Sequence, residues 1–166
     1  MKKFLGNGRA YRFSAIAAIA CLCAGPAATQ NPDLKATYGE KTLKAGFDPD
    51  PVKVKVEAGG PVETKLGGFT HWVAKEPDFR VNYTAGQFVL TIHATSKEDT
   101  TLLINTPDGK WIANDDRAPG DLDPLIRFEK PMSGRYEIWV GTLRKGITPP
   151  AKLYITELKD IVKDKD

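Results

Sequence analysis

Thr101-Leu102-Leu103-Ile104-Asn105-Thr106-Pro107-Asp108-Gly109-Lys110-Trp111-Ile112-Ala113 is the stretch on which the fold reading turns. An aliphatic run enters a Thr-Pro-Asp-Gly turn, where proline presets φ and glycine accepts the exit geometry, and a second apolar run returns. The pattern predicts a β-hairpin.

Working outward, Val52-Lys53-Val54-Lys55-Val56-Glu57 places three valines on one face of a strand and charges on the other. The same period of two recurs in Phe79-Arg80-Val81-Asn82-Tyr83 and in Phe88-Val89-Leu90-Thr91-Ile92-His93-Ala94, where Phe88, Leu90 and Ile92 share a side. Leu125 to Phe128, Arg135 to Val140 and Lys152 to Thr156 complete the set, punctuated by Ser133-Gly134 and by the stretch from Gly146 to Pro150. No segment carries a sustained 3.6-residue apolar period. Short strands divided by Gly, Pro and Asp turns predict an all-β domain, an antiparallel β-sandwich or jelly roll spanning 52–158. The Pro-, Gly- and Asp-rich stretch 29–51 reads as a linker or lightly ordered arm, and the charged stretch 159–166 as a tail.

Residues 1–28 read as an export signal. Lys2, Lys3, Arg9 and Arg12 precede an apolar run from Ala15 to Ala24, followed by small residues and Pro26. That run is shorter than the roughly 20 residues that span a bilayer, so no transmembrane segment is expected in the mature chain. The expected location is periplasmic or secreted. Ala18-Ile19-Ala20 before Cys21 offers the alternative of a lipoprotein acylated at that cysteine.

Removing this segment changes the charge balance. The chain has 24 Lys and Arg against 21 Asp and Glu, and the signal holds four of the basic residues and no acidic one, leaving 20 against 21. A near-neutral domain gives no warrant for nucleic acid as a partner. Both cysteines, Cys21 and Cys23, also lie in the signal, so the mature domain has no disulfide, cysteine nucleophile or thiolate metal site.

Nucleophilic catalysis has little support. The mature chain holds two histidines, His71 and His93, and two serines, Ser96 and Ser133, with neither serine in a Gly-x-Ser-x-Gly elbow. There is no His-Glu-x-x-His zinc signature. Aspartates concentrate instead: Asp99 at the start of a strand, Asn114-Asp115-Asp116 after the hairpin, and Asp121 and Asp123 beyond. Folding the hairpin brings Asp99 toward Asp115 or Asp116, an oxygen-rich loop end suited to Ca²⁺ or to plain turn chemistry. Trp139 alternates opposite Tyr136, Ile138 and Val140, while Trp72 and Trp111 fall near strand ends. These tryptophans either stack on a sugar or partner protein or close the ends of the sandwich.

Pro77-Asp78-Phe79, Asp99-Thr100-Thr101-Leu102, Pro107-Asp108-Gly109, Asn114-Asp115-Asp116, Asp123-Pro124 and Ser133-Gly134-Arg135-Tyr136-Glu137-Ile138-Trp139-Val140-Gly141 together resemble the bacterial pre-peptidase C-terminal domain family. The resemblance spans about 77–158. It implies a jelly-roll sandwich that accompanies secreted hydrolases as a non-catalytic module, with calcium as cofactor and Asp99, Asp115 and Asp116 as its ligands. No catalytic domain is expected beside it in this chain. The expected function is a non-catalytic exported binding module of the cell envelope or exterior, its partner a protein or glycan. The alternatives are a glycan-binding module using Trp72, Trp111 or Trp139, and a small carboxylate-dependent hydrolase.

Overall fold

The computed structural model describes residues 29–158, so the expected export signal with Cys21 and Cys23 and the charged tail lie outside the described residues. The described residues form eleven strands and no helix: β1 (Glu40–Lys44), β2 (Val52–Glu57), β3 (Val62–Leu66), β4 (Phe69–Val73), β5 (Phe79–Thr84), β6 (Leu90–Ser96), β7 (Thr100–Asn105), β8 (Trp111–Asn114), β9 (Leu125–Phe128), β10 (Gly134–Thr142) and β11 (Pro150–Thr156).

They build two sheets. In the second sheet the order is β2-β11-β6-β9, antiparallel throughout. The first is organised by β10, which pairs with β5 over Gly134 to Ile138, with β7 over Glu137 to Thr142, and with β4 at Thr142↔Trp72. β1 extends this sheet beyond β5, β3 beyond β4 and β8 beyond β7. The architecture is a β-sandwich.

Period-two alternation fills the space between the sheets. Val81 and Tyr83 on β5, Tyr136, Ile138 and Val140 on β10, and Leu102 and Ile104 on β7 meet Leu90, Ile92 and Ala94 on β6 and Leu153 and Ile155 on β11. Each fully buried large apolar side chain contributes about 1.5–3 kcal/mol. The opposite face of the first sheet is not left to solvent. Trp139 and Leu103 point outward, and the β3–β4 hairpin lays Val62 and Val73 against them as a second buried cluster.

The Thr106-to-Gly109 turn forms as expected, with the Gly109 N–H donating to the Thr106 carbonyl at 2.8 Å and the Thr106 N–H to the Lys110 carbonyl at 2.9 Å. Three features differ from expectation. The stretch 29–51 is not a mere linker: β1 pairs in parallel with β5, and Leu43 joins the core with Tyr38, Ala45 and Phe47 packed against it. The Arg80 guanidinium also clasps the arm, donating to the carbonyls of Pro32 and Leu34 at 3.1 and 2.8 Å while pairing with Glu137 at 2.6 Å. β3 and β4 form a hairpin across Gly67-Gly68, whose φ of +66° and +89° suits glycine at both turn positions. Finally, Phe88 precedes β6 and is exposed rather than sharing the core with Leu90 and Ile92.

Gly141 is what lets the outer cluster close. A Cβ there would lie 2.5 Å from Thr101 Oγ1 and 2.8 Å from Val73 Cγ1. Gly141→Ala should therefore destabilise the domain by about 1–3 kcal/mol, as overpacking does. Urea denaturation checks this, and an unchanged midpoint would show that the hairpin is free to shift.

Candidate functional site

The hairpin brings one end of β8 to the start of β7, since Leu102 pairs with Asn114. Asp99 thereby meets the electrostatic fields of Asp116 and Asp115, as the sequence suggests. Burial first, and then these two neighbours, raise the Asp99 carboxyl above its ordinary range, with Arg144 opposing. Asp99 Oδ1 is buried without a hydrogen-bond partner, whereas Asp115 accepts from the Asp116 N–H at 2.9 Å, closing a local turn. Among the described residues no three His, Cys, Asp or Glu side chains converge as a group that could hold a metal ion.

Asp121 and Asp123 pair within their own loop. The Arg117 guanidinium binds Asp121 at 2.5 Å and lies 3.5 Å from Asp123, so a cation is already supplied by the chain. The Arg117 N–H also donates to the Asp123 carbonyl, folding this loop on itself.

The tryptophans are also redistributed. Trp139 is 0% exposed, which corrects its candidacy as a ligand-stacking residue: the β3–β4 hairpin and Trp111, 5.1 Å away between ring centroids, cover it. Trp111 is half-buried as part of that cluster. Trp72 is half-buried beneath the Lys145 ammonium, 4.8 Å from its ring centroid. The three do not form a common platform.

Neither serine meets a histidine. Ser96 Oγ donates to the Pro150 carbonyl at 2.9 Å, and Ser133 Oγ accepts from the Ala85 N–H at 2.9 Å. His71 Nε2 lies 2.9 Å from the Leu66 carbonyl. His93 stacks flat on Tyr154, with centroids 4.5 Å apart and planes 1° from parallel. Both nitrogens of His93 are buried without hydrogen-bond partners.

One concave feature of the surface lies on the outer face of the second sheet. There a cavity of about 490 Å³ opens over β2, β6 and β11. Register fixes its floor: Lys152 on β11 stands directly between Lys55 on β2 and Thr95 on β6, with Tyr154 in the next outward row. Lys97 and Ser96 close one end and Asp123 reaches in from the loop, its Oδ1 accepting from the Ser96 N–H at 3.2 Å. Val56, Pro150 and Ala151 supply apolar wall. The reading of tryptophans and aspartates missed this site. Its signal was the charged face of Val52-Lys53-Val54-Lys55-Val56, which becomes a site only once β2 is placed beside β11.

No family model and no curated protein matches the chain. It is similar to the crystal structure of PliG from Aeromonas hydrophila, described as a periplasmic lysozyme inhibitor of g-type lysozyme, with 15% identity over 70% of this chain and 96% of that one and a TM-score of 0.41.

Two buried groups set opposite pH dependences for the scaffold. Asp78 accepts from the Val140 N–H at 2.7 Å, and burial pushes its carboxyl from 3.8 up to about 7 despite that bond, with Glu76 adding to the rise. Stability from this raised value is fully present below about pH 4 and lost as pH rises through about 7. His93 behaves oppositely: burial first, then Arg117, lowers its imidazole from 6.5 to about 4. Its contribution is present above about pH 6.5 and lost as pH falls through about 4. Asp78→Asn should therefore gain stability relative to the parent between about pH 5 and about pH 8. Urea denaturation of both proteins at the two pH values tests this, and an equal difference at both would remove Asp78 from the account.

Proposed function

We propose that this protein is a non-catalytic, exported binding module, and that its ligand occupies the cavity on the outer face of the second sheet. The observation that carries this reading is the cavity itself. Its volume of about 490 Å³ falls within the range of small-molecule sites, and its floor is three hydrogen-bonded strands. Side chains on such a floor are positioned by backbone pairing before any ligand arrives, which lowers the ordering cost of binding. The hydroxyls of Ser96 and Ser133 are committed to backbone partners, which supports binding over nucleophilic chemistry. The n-region and apolar run of residues 1–28 support export, and the resemblance to pre-peptidase C-terminal domains supports an accessory role.

The test is a glycan array and a panel of exported proteins, including a g-type lysozyme, the target named for the compared periplasmic protein. Thr95 is half-buried on the cavity floor, so Thr95→Trp fills the site. A ligand retained by the parent should bind at least about tenfold more weakly to the variant, equivalent to about 1.4 kcal/mol. Turnover of peptide, ester or glycoside substrates, or binding indifferent to Thr95→Trp, would overturn the reading.

A second reading is favoured by Asp99, whose buried Oδ1 lacks a partner and whose carboxyl faces the fields of Asp116 and Asp115. Ca²⁺ at this loop end would relieve that accumulation of negative charge, with backbone carbonyls and water completing its shell. Melting in EDTA and then in millimolar calcium tests it, with stabilisation of about 2.7 kcal/mol expected at about 100 times Kd. The shift should vanish in Asp115→Asn with Asp116→Asn. An unchanged Tm in the parent would exclude calcium.

A further inference from the structure

His93 is a titratable side chain sealed inside the outer layer of the second sheet. Alternation on β6 sends Ile92 and Ala94 into the core and His93 outward, yet the side chain is fully buried. On β11 the Tyr154 ring stacks flat against it, and the Lys53 ammonium of β2 stands over that ring. On β9 its register partner is Leu125, and Arg127 two positions further donates to Thr91 Oγ1 at 3.1 Å. The loop 115–124 closes the remaining side and brings the Arg117 charge to bear on the imidazole. Both His93 nitrogens are buried without a hydrogen-bond partner, as is Arg117 Nη1.

The loop itself is held by a small set of bonds that converge on Asp123. The Arg117 guanidinium binds Asp121 and Asp123, the Arg117 N–H donates to the Asp123 carbonyl at 3.0 Å, and Asp123 Oδ1 accepts from the Ser96 N–H at 3.2 Å. Asp123 also lines the cavity over β2, β6 and β11, so this loop is one of its walls.

We infer that the loop 115–124 is an acid-released flap: a proton taken up by His93 undoes the Arg117 clasp and moves Asp123 out of the cavity wall. The cause is the cost of a second cation beneath the loop. A neutral imidazole packs between an aromatic ring and a guanidinium, but an imidazolium there is a buried charge without a counter-ion, beside Arg117. The loop carboxylates Asp121 and Asp123 are already engaged by Arg117, and the charged groups flanking from β2 and β9, Lys53 and Arg127, are positive. An imidazolium gains a partner either by drawing a carboxylate from Arg117 or by reaching water, and each course breaks the bonds that close the loop. Burial first, then Arg117, hold the imidazole at about 4 against its ordinary 6.5. The closed form is therefore fully favoured above about pH 6.5 and loses that advantage as pH falls through about 4.

Amide hydrogen exchange followed by NMR on the full chain, at about pH 7.5 and about pH 4.5, tests the inference. Protection factors are corrected for the intrinsic pH dependence of exchange. The amides of Ser96, Arg117 and Asp121 should lose protection at least about tenfold at the lower pH, while Ile138 in β10 and Leu153 in β11 keep theirs. The chain has two histidines, so the His93 ring resonance can be followed in the same samples, and its midpoint should coincide with that of the loop amides. His93→Gln removes this titration and leaves the loop carboxylates in place, so loop protection should be equal at the two pH values. His93→Phe, which keeps a ring against Tyr154, should behave alike. Unchanged loop protection in the parent, a loss shared by Ile138 and Leu153, or a His93 midpoint separate from that of the loop would overturn the inference. A loss that persists in the His93 variants would assign the release to the carboxylates and also overturn it. The exchange readout needs no ligand, so the flap can fail while the cavity stands as the binding site.

Discussion

β10 is buried on both of its faces, and the other elements are arranged around that fact. Tyr136, Ile138 and Val140 fill the space between the sheets, while Glu137, Trp139 and Gly141 are covered on the far side. A strand in that position needs pairing on each edge and a lid on its second face. β5 and β7 supply the pairing, and the β3–β4 hairpin supplies most of the lid. The N-terminal arm completes it through Arg80, which joins Glu137 to the carbonyls of Pro32 and Leu34. Glu137 is a buried carboxylate, and two guanidiniums, Arg80 at 2.6 Å and Arg135 at 2.8 Å, compensate it. Removing one partner of such an arrangement costs more than the pair contributes, so the arm and the strand hold each other in place.

The outer faces of the two sheets have divided their tasks. On the first, apolar residues at alternate positions of β7 and β10 are hidden by a folded-over hairpin, leaving no room beside Trp139 for a ligand. On the second, alternate positions of β2 and β11 carry lysines and a tyrosine, and the covering loop that contains Arg117, Asp121 and Asp123 leaves a cavity open. A stable lid and an accessible floor are different uses of the same period-two geometry. The residue types decide which occurs: Leu103 and Trp139 reward coverage, whereas Lys55 and Lys152 favour access to water.

Much of this fold was legible in the sequence because alternation and turn chemistry agree along most of the chain. The central hairpin, the inward faces of β2, β5, β6 and β10, and the approach of Asp99 to Asp115 and Asp116 follow from local pattern. β1 escaped notice because Glu40, Lys41 and Lys44 surround a single core residue, Leu43, and a parallel partnership has no short turn to announce it. Gly67-Gly68 was a readable signal for β3 and β4. The cavity was far less legible, since Lys55 and Lys152 are nearly a hundred positions apart and only register makes them neighbours. Trp139 illustrates the converse: its alternation was read correctly as facing outward, but outward here means under a second layer.

The lysine-bearing strand has one further property, its place at the margin of a sheet. β2 ends the second sheet as β1 and β3 end branches of the first, and each exposes backbone groups that another polypeptide could zip onto. All three carry charge along their length: Glu40, Lys41 and Lys44 on β1, Lys53, Lys55 and Glu57 on β2, Glu63 and Lys65 on β3. A second copy drawing up against such a margin would have to strip water from those charges, so the strands that finish the fold also keep it from propagating into a fibre.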